Sequence, residues 1–511
     1  MNILEVKNIK FKYSEKELYN LASMRLFSGE HTALVGDNGT GKTTLLKLLG
    51  KEMTPDSGSI EWVNNIKIGY LDQYALIDHN LDVKTYIYDV FLPLFEKERK
   101  QLALYESLAL VDPNEYDKIL NWAHNLGEEL EKENFHAISS KIGNVLNGLG
   151  LGTDILDMPI KHLSGGMRSK LILANLLLKD ADCLLLDEPT NFLDSVHVKW
   201  LSNFLNNFNK SFIVISHNEE FLRSIAKTVF SLENKQINRY KGNYDFYLKE
   251  KDIRSDQHQK DYDAQNKLIK KTQDFIDKNI TRASTTKRAQ SRRKMLEKIV
   301  KIDKPVIKKK INFNFKTGRS LGVEVLKIKD LEIGYQEALV APITQLIKKN
   351  EKVVITGKNG VGKTTLIKTL LNIIPKLNGT FKWAESHQIL YFEQDMLDDE
   401  TITAFELIHN DDPSLTKKEV YTILASFNIS VELASRAIHT LSGGEKAKCK
   451  FALMRNHKSN ILILDEPTNH LDYDTKESLK EGLINYTGSI ILVSHEKEFY
   501  SDICDYEIEL E

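Results

Sequence analysis

The sequence has few cysteines, no long apolar run and almost no net charge, and each of these absences excludes a class of protein. Its three cysteines, Cys183, Cys449 and Cys504, lack the close spacing that a disulfide framework, a zinc site or an iron–sulfur cluster needs. No stretch approaches the ~18 apolar residues of a membrane span, and the first residues lack the apolar core of a secretory signal. We therefore expect a cytoplasmic protein that does not enter a membrane. Because the formal net charge is −2, any polyanion must be bound by a local cationic patch.

Most of the chain is a repeat of one domain. GDNGTGKTTLLKLL at Gly36 recurs as GKNGVGKTTLIKTL at Gly357, and CLLLDEPTNFLD at Cys183 recurs as ILILDEPTNHLD at Ile461. In both copies apolar strand-like runs lead into helical patterns, which is typical of an α/β fold with a parallel sheet. The sequence therefore predicts two α/β domains in tandem.

An insertion distinguishes the first copy from the second. The offset from Lys42 to Lys363 is 321 residues, whereas the offset from Glu188 to Glu466 is 278, so the first copy carries 43 extra residues. They fall where apolar residues recur at helical spacing on either side of a short turn. We predict a helical hairpin at about 84–137, which is either a solvated excursion or a docking arm.

A segment without a counterpart, at about 248–315, separates the two copies. Its apolar residues recur at intervals of seven, which predicts two long helices, and NITRASTT at 279–286 is rich in residues that cap or break helices. We expect the helices to reverse there and to pack as an antiparallel hairpin. The predicted domains are a first α/β domain at 1–247, a linker at 248–315 and a second α/β domain at 316–511.

The second half of this linker is strongly cationic. From 281 to 301 it contains eight cations and one anion, Glu297, which leaves a net charge of +7. Such a segment attracts phosphate, and it has no aromatic side chain on which bases could stack, so we expect it to bind the backbone of folded RNA. A solvated helix face is the alternative. The residues predicted to contact RNA are Arg282, Lys287, Arg288, Arg292, Arg293 and Lys294.

Each copy contains a phosphate-binding loop. The motif GxxxxGK[ST] follows an apolar run and precedes a helix, so that backbone N–H groups and the helix N-terminus bind phosphate, the lysine neutralises its charge and the next threonine holds the Mg²⁺ of ATP. The predicted residues are Gly36, Asn38, Gly39, Gly41, Lys42, Thr43 and Thr44 in the first copy, and Gly357, Asn359, Gly360, Gly362, Lys363, Thr364 and Thr365 in the second.

Adjacent carboxylates end an apolar run in each copy. The sequences LLLDE and ILILDE place these carboxylates at the carboxyl edge of a parallel sheet, where open α/β folds bind ligands. We expect Asp187 and Asp465 to bind the metal. Glu188 and Glu466 are expected to accept the proton of the water that attacks the γ-phosphate.

LSGGM at Leu163 and LSGGE at Leu441, each followed by DEPTN, resemble the signature of the ATP-binding-cassette superfamily, and the resemblance covers nearly the whole chain. It implies that two cassettes close head to tail around two ATP molecules, with the signature of one cassette facing the P-loop of the other. The implied sites are Lys42, Glu188 and Ser442 for site one, and Lys363, Glu466 and Ser164 for site two.

The same resemblance implies that Gln73 and Gln394 bind the metal and that His217 and His495 are switch histidines at the γ-phosphate. It implies that Tyr13 and Tyr335 stack on adenine and that Asp194 and Asp472 couple the two sites. The glycines after each signature serine, Gly165, Gly166, Gly443 and Gly444, are expected to bind ATP with it. Both copies keep the motif residues, so two hydrolysing sites are expected. Phe192 departs from the pattern, because the second copy has His470 at that position.

The insertion in the first cassette, KGNYDFY at Lys241 and the charged two-helix linker resemble the ABC-F family. This resemblance implies a monomeric, ribosome-associated ATPase without an obligate protein subunit. ATP binding would close the cassettes and direct the linker from the E site against ribosomal RNA and P-site tRNA near the peptidyl-transferase centre. The insertion would contact the ribosome near the L1 stalk, and hydrolysis would release the protein.

Other functions stay open at this point. An ATPase subunit of a membrane transporter would co-purify with a membrane protein, and a passive RNA-binding scaffold would tolerate loss of both P-loop lysines. A DNA-repair ATPase is less favoured, because the sequence ends at Glu511 without a basic extension. Housekeeping translation factors and antibiotic-resistance proteins of the ABC-F family share all these motifs, and the short NITRASTT segment favours the housekeeping role.

Overall fold

The computed structural model describes residues 1–13, 16–71, 78, 81–109, 112, 115–279, 286–299, 310–319, 322–358, 360–393, 402–469 and 471–510. The tandem α/β fold predicted from the repeat is confirmed. Among the described residues, no helix has both the length and the apolar content that a membrane crossing requires.

The strands of the first cassette form two sheets. They are β1 (Asn2–Tyr13), β2 (Lys16–Phe27), β3 (His31–Gly36), β4 (Ser57–Trp62), β5 (Ile68–Leu71), β6 (Cys183–Asp187), β7 (Ser211–Ile215), β8 (Thr228–Glu233) and β9 (Gln236–Tyr240). The main sheet has the order β5-β6-β7-β3-β8-β9, and its pairs are parallel except β8 with β9. The antiparallel sheet has the order β2-β1-β4.

The main sheet of the first cassette is buried on both faces. The helices are α1 (Lys42–Leu49), α2 (Val83–Tyr88), α3 (Leu92–Ser107), α4 (Tyr116–Lys132), α5 (Ile138–Gly148), α6 (Gly165–Leu178), α7 (Ser195–Asn206) and α8 (Glu219–Ile225). Leu184 and Leu186 of β6 belong to the core on the side of α5, α6 and α7, whereas Leu185 belongs to the core shared with α1 and the antiparallel sheet. A strand covered on both faces needs apolar residues at every position, which explains the uninterrupted run CLLL.

The insertion contains α3 and α4, which pack antiparallel. Lys97 Nζ lies 2.7 Å from Glu129 Oε2, and Gln101 Nε2 donates to the Ala123 carbonyl oxygen at 3.1 Å. Trp122 on α4 is 62% exposed.

The linker contains α9 (Tyr244–Asn279) and α10 (Thr286–Glu297). The two helices are in contact, since the Arg292 guanidinium lies 3.9 Å from the centroid of the Phe275 ring. The predicted reversal at 280–285 falls outside the described residues. Because α9 is continuous across position 248, the boundaries 1–247, 248–315 and 316–511 stay a prediction.

The second cassette repeats the layers of the first. Its strands are β10 (Lys316–Thr317), β11 (Glu324–Glu332), β12 (Ile343–Lys348), β13 (Lys352–Gly357), β14 (Asn378–Trp383), β15 (Ile389–Phe392), β16 (Lys458–Ser459), β17 (Ile461–Asp465), β18 (Ser489–Val493) and β19 (Tyr506–Leu510). Its helices are α11 (Lys363–Leu370), α12 (Ala404–Asp411), α13 (Lys417–Ser426), α14 (Val431–Ala434), α15 (Gly443–Met454), α16 (Tyr473–Asn485) and α17 (Lys497–Tyr500). The parallel sheet β15-β17-β18-β13-β19 carries the P-loop after β13 and the carboxylates at the end of β17.

Candidate active site

The first P-loop joins β3 to α1 and needs glycine for conformation and for space. Gly39 and Gly41 have φ angles of 73° and 103°, in the left-handed region that glycine adopts without strain. A Cβ atom on Gly41 would lie 2.8 Å from the hydroxyl of the buried Tyr19. That hydroxyl donates to the Gly41 carbonyl oxygen at 2.5 Å. Tyr19 therefore fixes the loop, and sequence reasoning missed it because no motif connects it to the P-loop.

The P-loop lysines are buried and held by backbone oxygens. Lys42 Nζ donates to the carbonyl oxygens of the first two loop residues at 2.8 and 3.1 Å, and Lys363 Nζ makes the equivalent bonds at 2.8 and 3.0 Å. Burial lowers the pKa of both ammonium groups. A polyphosphate supplies the negative charge that a buried ammonium group favours.

A hydroxyl and a carboxylate come together beside each lysine. Thr364 Oγ1 donates to Asp465 Oδ2 at 2.7 Å. In the first cassette, burial raises the pKa of Asp187 to about 6, against a hydrogen bond from the Thr43 side chain that lowers it. Hydroxyl and carboxylate oxygens are the ligands that Mg²⁺ prefers. These donors fit a magnesium ion, which the sequence predicted at these four residues.

The two glutamates predicted as bases share an unusual backbone conformation. Glu188 has a φ of 49° and Glu466 a φ of 48°, values that are rare outside glycine and asparagine and often occur at functional sites. The N–H of Glu188 donates to the Ile215 carbonyl oxygen at 2.9 Å, and the N–H of Glu466 donates to that of Val493 at 3.0 Å. The neighbouring strand thus holds each glutamate in the same conformation at the sheet edge.

Each switch histidine contacts the glutamate of its own cassette. His217 Nε2 lies 3.3 Å from Glu188 Oε1, and His495 Nε2 lies 3.2 Å from Glu466 Oε1. His495 Nε2 is also 2.8 Å from Lys363 Nζ. Burial lowers the pKa of His495 to about 4, so its neutral ring accepts a hydrogen bond from the lysine. Burial raises the pKa of Glu466.

The signature serines Ser164 and Ser442 are the N-cap residues of α6 and α15, but their hydroxyl groups differ in their partners. Ser164 Oγ accepts from the Met167 N–H at 3.2 Å. Ser442 Oγ accepts from the Glu445 N–H at 3.4 Å and also donates to Glu445 Oε2 at 2.8 Å. The carboxylate of Glu445 thus occupies the Ser442 hydroxyl in a capping box.

The two aspartates predicted to couple the sites, Asp194 and Asp472, each act electrostatically on the P-loop lysine of the opposite cassette. Burial lowers the pKa of Lys42, and the carboxylates that raise it include Asp472 of the second cassette. In the same way, the carboxylates that raise the pKa of Lys363 include Asp194 of the first cassette. Each P-loop lysine therefore lies within electrostatic reach of the opposite cassette. The sharing of the signature serines between sites stays a prediction.

The other predicted site residues fall into three groups: some lie outside the described residues, two are exposed, and the rest lie in the P-loops or at the starts of the helices. Gln73, Gln394, Asn359 and His470, the counterpart of Phe192, lie outside the described residues. Tyr13 is 62% exposed and Tyr335 is 72% exposed, so their stacking on adenine stays a prediction. The remaining predicted residues lie in the P-loops or the first turns of α1, α6, α11 and α15, namely Gly36, Asn38, Thr44, Gly165, Gly166, Gly357, Gly360, Gly362, Thr365, Gly443 and Gly444.

Five of the six cations predicted to bind RNA lie on α10. Arg282 lies outside the described residues, and Lys287 lies in the first turn of α10. Arg288, Arg292, Arg293 and Lys294 are exposed. Arg292 also stacks on Phe275, and Arg293 pairs with Glu297 at 3.3 Å. Both contacts lie within the linker, and these four cations of α10 remain exposed.

A family model described as "ABC transporter" matches residues 19–191 and 340–469, and a second model with the same description matches residues 230–315. The first model matches a large part of each cassette, and the second model matches the linker and the end of the first cassette.

Relatives match over nearly the full chain. The Bacillus subtilis (strain 168) protein named "Uncharacterized ABC transporter ATP-binding protein YfmM" is 37% identical over 98% of this chain and 97% of its own length. "ATP-binding cassette sub-family F member 3" of Mus musculus is 31% identical over 98% of this chain and 70% of its own length. A chain of the structure described as "Model of ribosome-bound archaeal Pelota and ABCE1" has a TM-score of 0.60 at 18% identity, over 99% of this chain and 76% of that one. At that identity the likeness concerns the fold.

Proposed function

Because the chain belongs to the ABC-F family of ATP-binding-cassette proteins and is an ATPase, we propose that it uses ATP to place its cationic linker on ribosomal RNA. ATP binding closes the cassettes and directs the linker against ribosomal RNA and P-site tRNA near the peptidyl-transferase centre. Hydrolysis opens the cassettes and releases the protein. The fold shared with a chain from a ribosome-bound complex supports this proposal at the level of architecture.

The chemistry follows from the residues around each P-loop. Lys42 and Lys363 hold the β- and γ-phosphates, and Glu188 and Glu466 accept the proton of the attacking water. The switch histidine of each cassette lies next to this carboxylate, at 3.3 and 3.2 Å. Mg²⁺, held by the threonine and aspartate next to each lysine, supplies charge neutralisation when bound. Gln73 and Gln394 are proposed to complete the metal sites.

The observation that carries the link between nucleotide and linker is the position of Arg223. Its Nε lies 3.0 Å from Asp245 in the first turn of α9, and its Nη1 lies 3.5 Å from Glu498 of the second cassette. One guanidinium group thus contacts both the base of the linker and the opposite cassette. A change in the relative position of the cassettes therefore acts directly on the start of α9.

The experiment that tests the proposal is ribosome pelleting with ATP. Glu188→Gln together with Glu466→Gln should trap the closed form, because both sites bind ATP and neither activates water. We expect this double variant to co-sediment with ribosomes and to block protein synthesis, while the wild type does not accumulate. Normal translation in the presence of the double variant would contradict the proposal.

The linker contact is tested in the same trapped background. Because phosphate contacts release counterions, binding should fall roughly 10³-fold or more between 50 and 200 mM salt if six contacts form. Arg288→Glu with Lys294→Glu should abolish sedimentation. Lys417→Glu with Lys418→Glu, two exposed lysines at the start of α13, makes the same charge change away from the linker and should retain binding.

The subclass within the family depends on the segment NITRASTT, of which 280–285 lie outside the described residues. We propose a translation-factor role, since a short segment reaches less far toward a drug site. Growth of a deletion strain with and without ribosome-targeting antibiotics tests this: a defect restricted to antibiotic medium would make the protein a resistance factor instead.

A further inference from the structure

One lysine of the second cassette contacts the switch-histidine loops of both cassettes. Lys476 lies on α16, one turn after Asp472. Its Nζ donates to the backbone carbonyl oxygen of His217, in the first cassette, at 3.4 Å. The same ammonium group donates to both carboxylate oxygens of Glu496 at 2.7 and 2.9 Å. Glu496 directly follows His495, so Lys476 joins the histidine loop of site one to that of site two.

The surroundings of Lys476 strengthen its ion pair with Glu496. Its side chain is 11% exposed and that of Glu496 is 33% exposed, so solvent screens the pair less than it screens a surface ion pair. An ammonium group with a carboxylate partner makes a charge-assisted hydrogen bond. The backbone oxygen of His217 is therefore held by a group whose own position is set by the opposite loop.

The pseudo-symmetric position in the first cassette has a different residue. At the same offset of 278 residues, Val198 corresponds to Lys476 and Asn218 corresponds to Glu496. Val198 packs against the core of its own cassette, and Asn218 caps α8 by accepting from the Phe221 N–H at 2.9 Å. Neither side chain is able to form an ion pair. The ion pair that joins the two histidine loops is therefore present at the position of Lys476 and Glu496 and absent at the equivalent position of Val198 and Asn218.

The contact lies in a charged part of the cassette interface. Arg223 of α8 approaches Glu498, two residues after Glu496, at 3.5 Å. Lys476 is also among the cations whose field acts on the half-buried Glu219 of α8. Movement of α16 and α17 relative to α8 would therefore displace the His217 loop.

We propose that Lys476 is a positioning residue that couples the two ATP sites, by transmitting the state of the His495 loop to the His217 loop. The inference rests on the site roles proposed above. If the two histidine loops are coupled through this contact, blocking hydrolysis at site one changes turnover at site two, and replacing Lys476 alters the size of that change. Val198 offers no equivalent route, so the coupling runs through one side of the interface.

The test is a double-mutant cycle in the full-length protein with saturating ATP. Steady-state phosphate release is measured for the wild type and for Glu188→Gln, each with and without Lys476→Val, the residue of the first cassette. The ratio of turnover with Glu188→Gln to turnover without it is compared between the wild-type background and the Lys476→Val background. This ratio should differ by about 5-fold or more, which is the lower end of typical coupling between two sites. Lys476→Arg should retain the wild-type factor, because it keeps the charge.

The matched control is Lys480→Val, one turn further along α16. Lys480 is similarly buried, but its ammonium group contacts Asp502 at 2.5 Å and the Glu498 carbonyl oxygen at 2.8 Å, both within the second cassette. Glu496→Gln removes the ion pair with little change of shape and should act like Lys476→Val. Melting temperatures of all variants separate loss of fold from loss of coupling.

The possible outcomes are distinct. An unchanged factor in both Lys476→Val and Glu496→Gln overturns the coupling, and so does an equal shift in Lys480→Val. If Glu188→Gln leaves turnover unchanged in every background, the proposed site roles are wrong, and the proposed coupling, which depends on them, is wrong as well. A shift in the first two variants alone supports Lys476 as the link between the sites.

Discussion

The two nucleotide sites have similar local geometry and differ in a few side chains near their shared motif residues. The φ angles of Glu188 and Glu466 agree within 1°, and the histidine-to-glutamate distances are 3.3 and 3.2 Å. In contrast, the signature helix that begins at Ser442 carries a carboxylate in its first turn, whereas the helix that begins at Ser164 carries Met167. The comparison teaches that the motif residues shared by both copies should give both sites the same chemistry, and that any inequality must come from the positions at which the two copies differ.

The largest expected effect tests the shared part of the comparison. Glu188→Gln and Glu466→Gln should each slow the chemical step of their own site by about 10²- to 10⁴-fold, the usual contribution of a general base. Phosphate release by each single variant then reports the other site alone. The ratio of the two residual rates measures how unequal the sites are, and a single variant with full wild-type turnover would show that its site does not hydrolyse ATP.

The sequence predicted what depends on local motifs. The two P-loops and the strands that lead into Asp-Glu follow from short patterns, because each pattern is sufficient for its own backbone geometry. The sequence also predicted that the linker is helical, since seven-residue spacing needs no tertiary information.

The remaining features are tertiary and could not be predicted from one sequence. Tyr19 lies on β2, far from Gly41 in the chain, and only the packed antiparallel sheet brings its hydroxyl to the loop. The left-handed φ of Glu188 is imposed by its bond to Ile215 on β7, which no residue preference suggests. The contact of Lys476 with His217 depends on how the cassettes pack against each other.

The second-largest effect concerns nucleotide affinity. Lys42→Ala and Lys363→Ala should each weaken ATP binding at the affected site by about 10- to 100-fold, because each removes charged hydrogen bonds worth about 1.5–3 kcal/mol. We expect the larger loss for Lys363→Ala, since Lys363 also orients His495 at 2.8 Å. Titration with a fluorescent ATP analogue measures the affinities. Lys358→Ala, an exposed residue of the second loop, is the control and should bind normally; equal losses at Lys358 and Lys363 would contradict the assignment.

A third prediction compares the two P-loops by the atoms that surround their last glycine. Gly41 and Gly362 have similar φ angles of 103° and 111°, so replacement by alanine imposes a similar backbone strain of about 1–3 kcal/mol. A Cβ at Gly41 meets the fixed Tyr19 hydroxyl at 2.8 Å, whereas one at Gly362 meets the flexible end of Leu339 at 3.2 Å. Gly41→Ala should therefore weaken ATP binding about 10-fold more than Gly362→Ala, corresponding to about 1.4 kcal/mol.

The same titration measures this difference. Tyr19→Phe combined with Gly41→Ala removes the hydroxyl that clashes, so it should recover most of the additional loss. Equal affinities for the two alanine variants would show that Tyr19 does not fix the first loop.

The smallest expected effect comes from the signature helices, where the sites differ most clearly. If Ser442 faces the ATP held by Lys42, the carboxylate of Glu445 lies near the γ-phosphate and repels it by about 1 kcal/mol. Glu445→Met should then lower the ATP concentration for half-maximal turnover by about 5-fold in the Glu466→Gln background, where site one alone hydrolyses ATP. Met167→Glu should raise that concentration for site two in the Glu188→Gln background.

A matched control separates this electrostatic effect from the loss of a helix cap. Glu419 forms the same capping box with Thr416 at the start of α13, which is neither a P-loop helix nor a signature helix. Glu419→Met should cost similar stability, about 1 kcal/mol, and leave the dependence on ATP unchanged. If Glu445→Met and Glu419→Met change that dependence equally, the inequality of the two sites does not originate at the signature helices. If Glu445→Met acts alone and Met167→Glu acts in the opposite direction, the composite arrangement of the sites and the origin of their difference follow from one pair of substitutions.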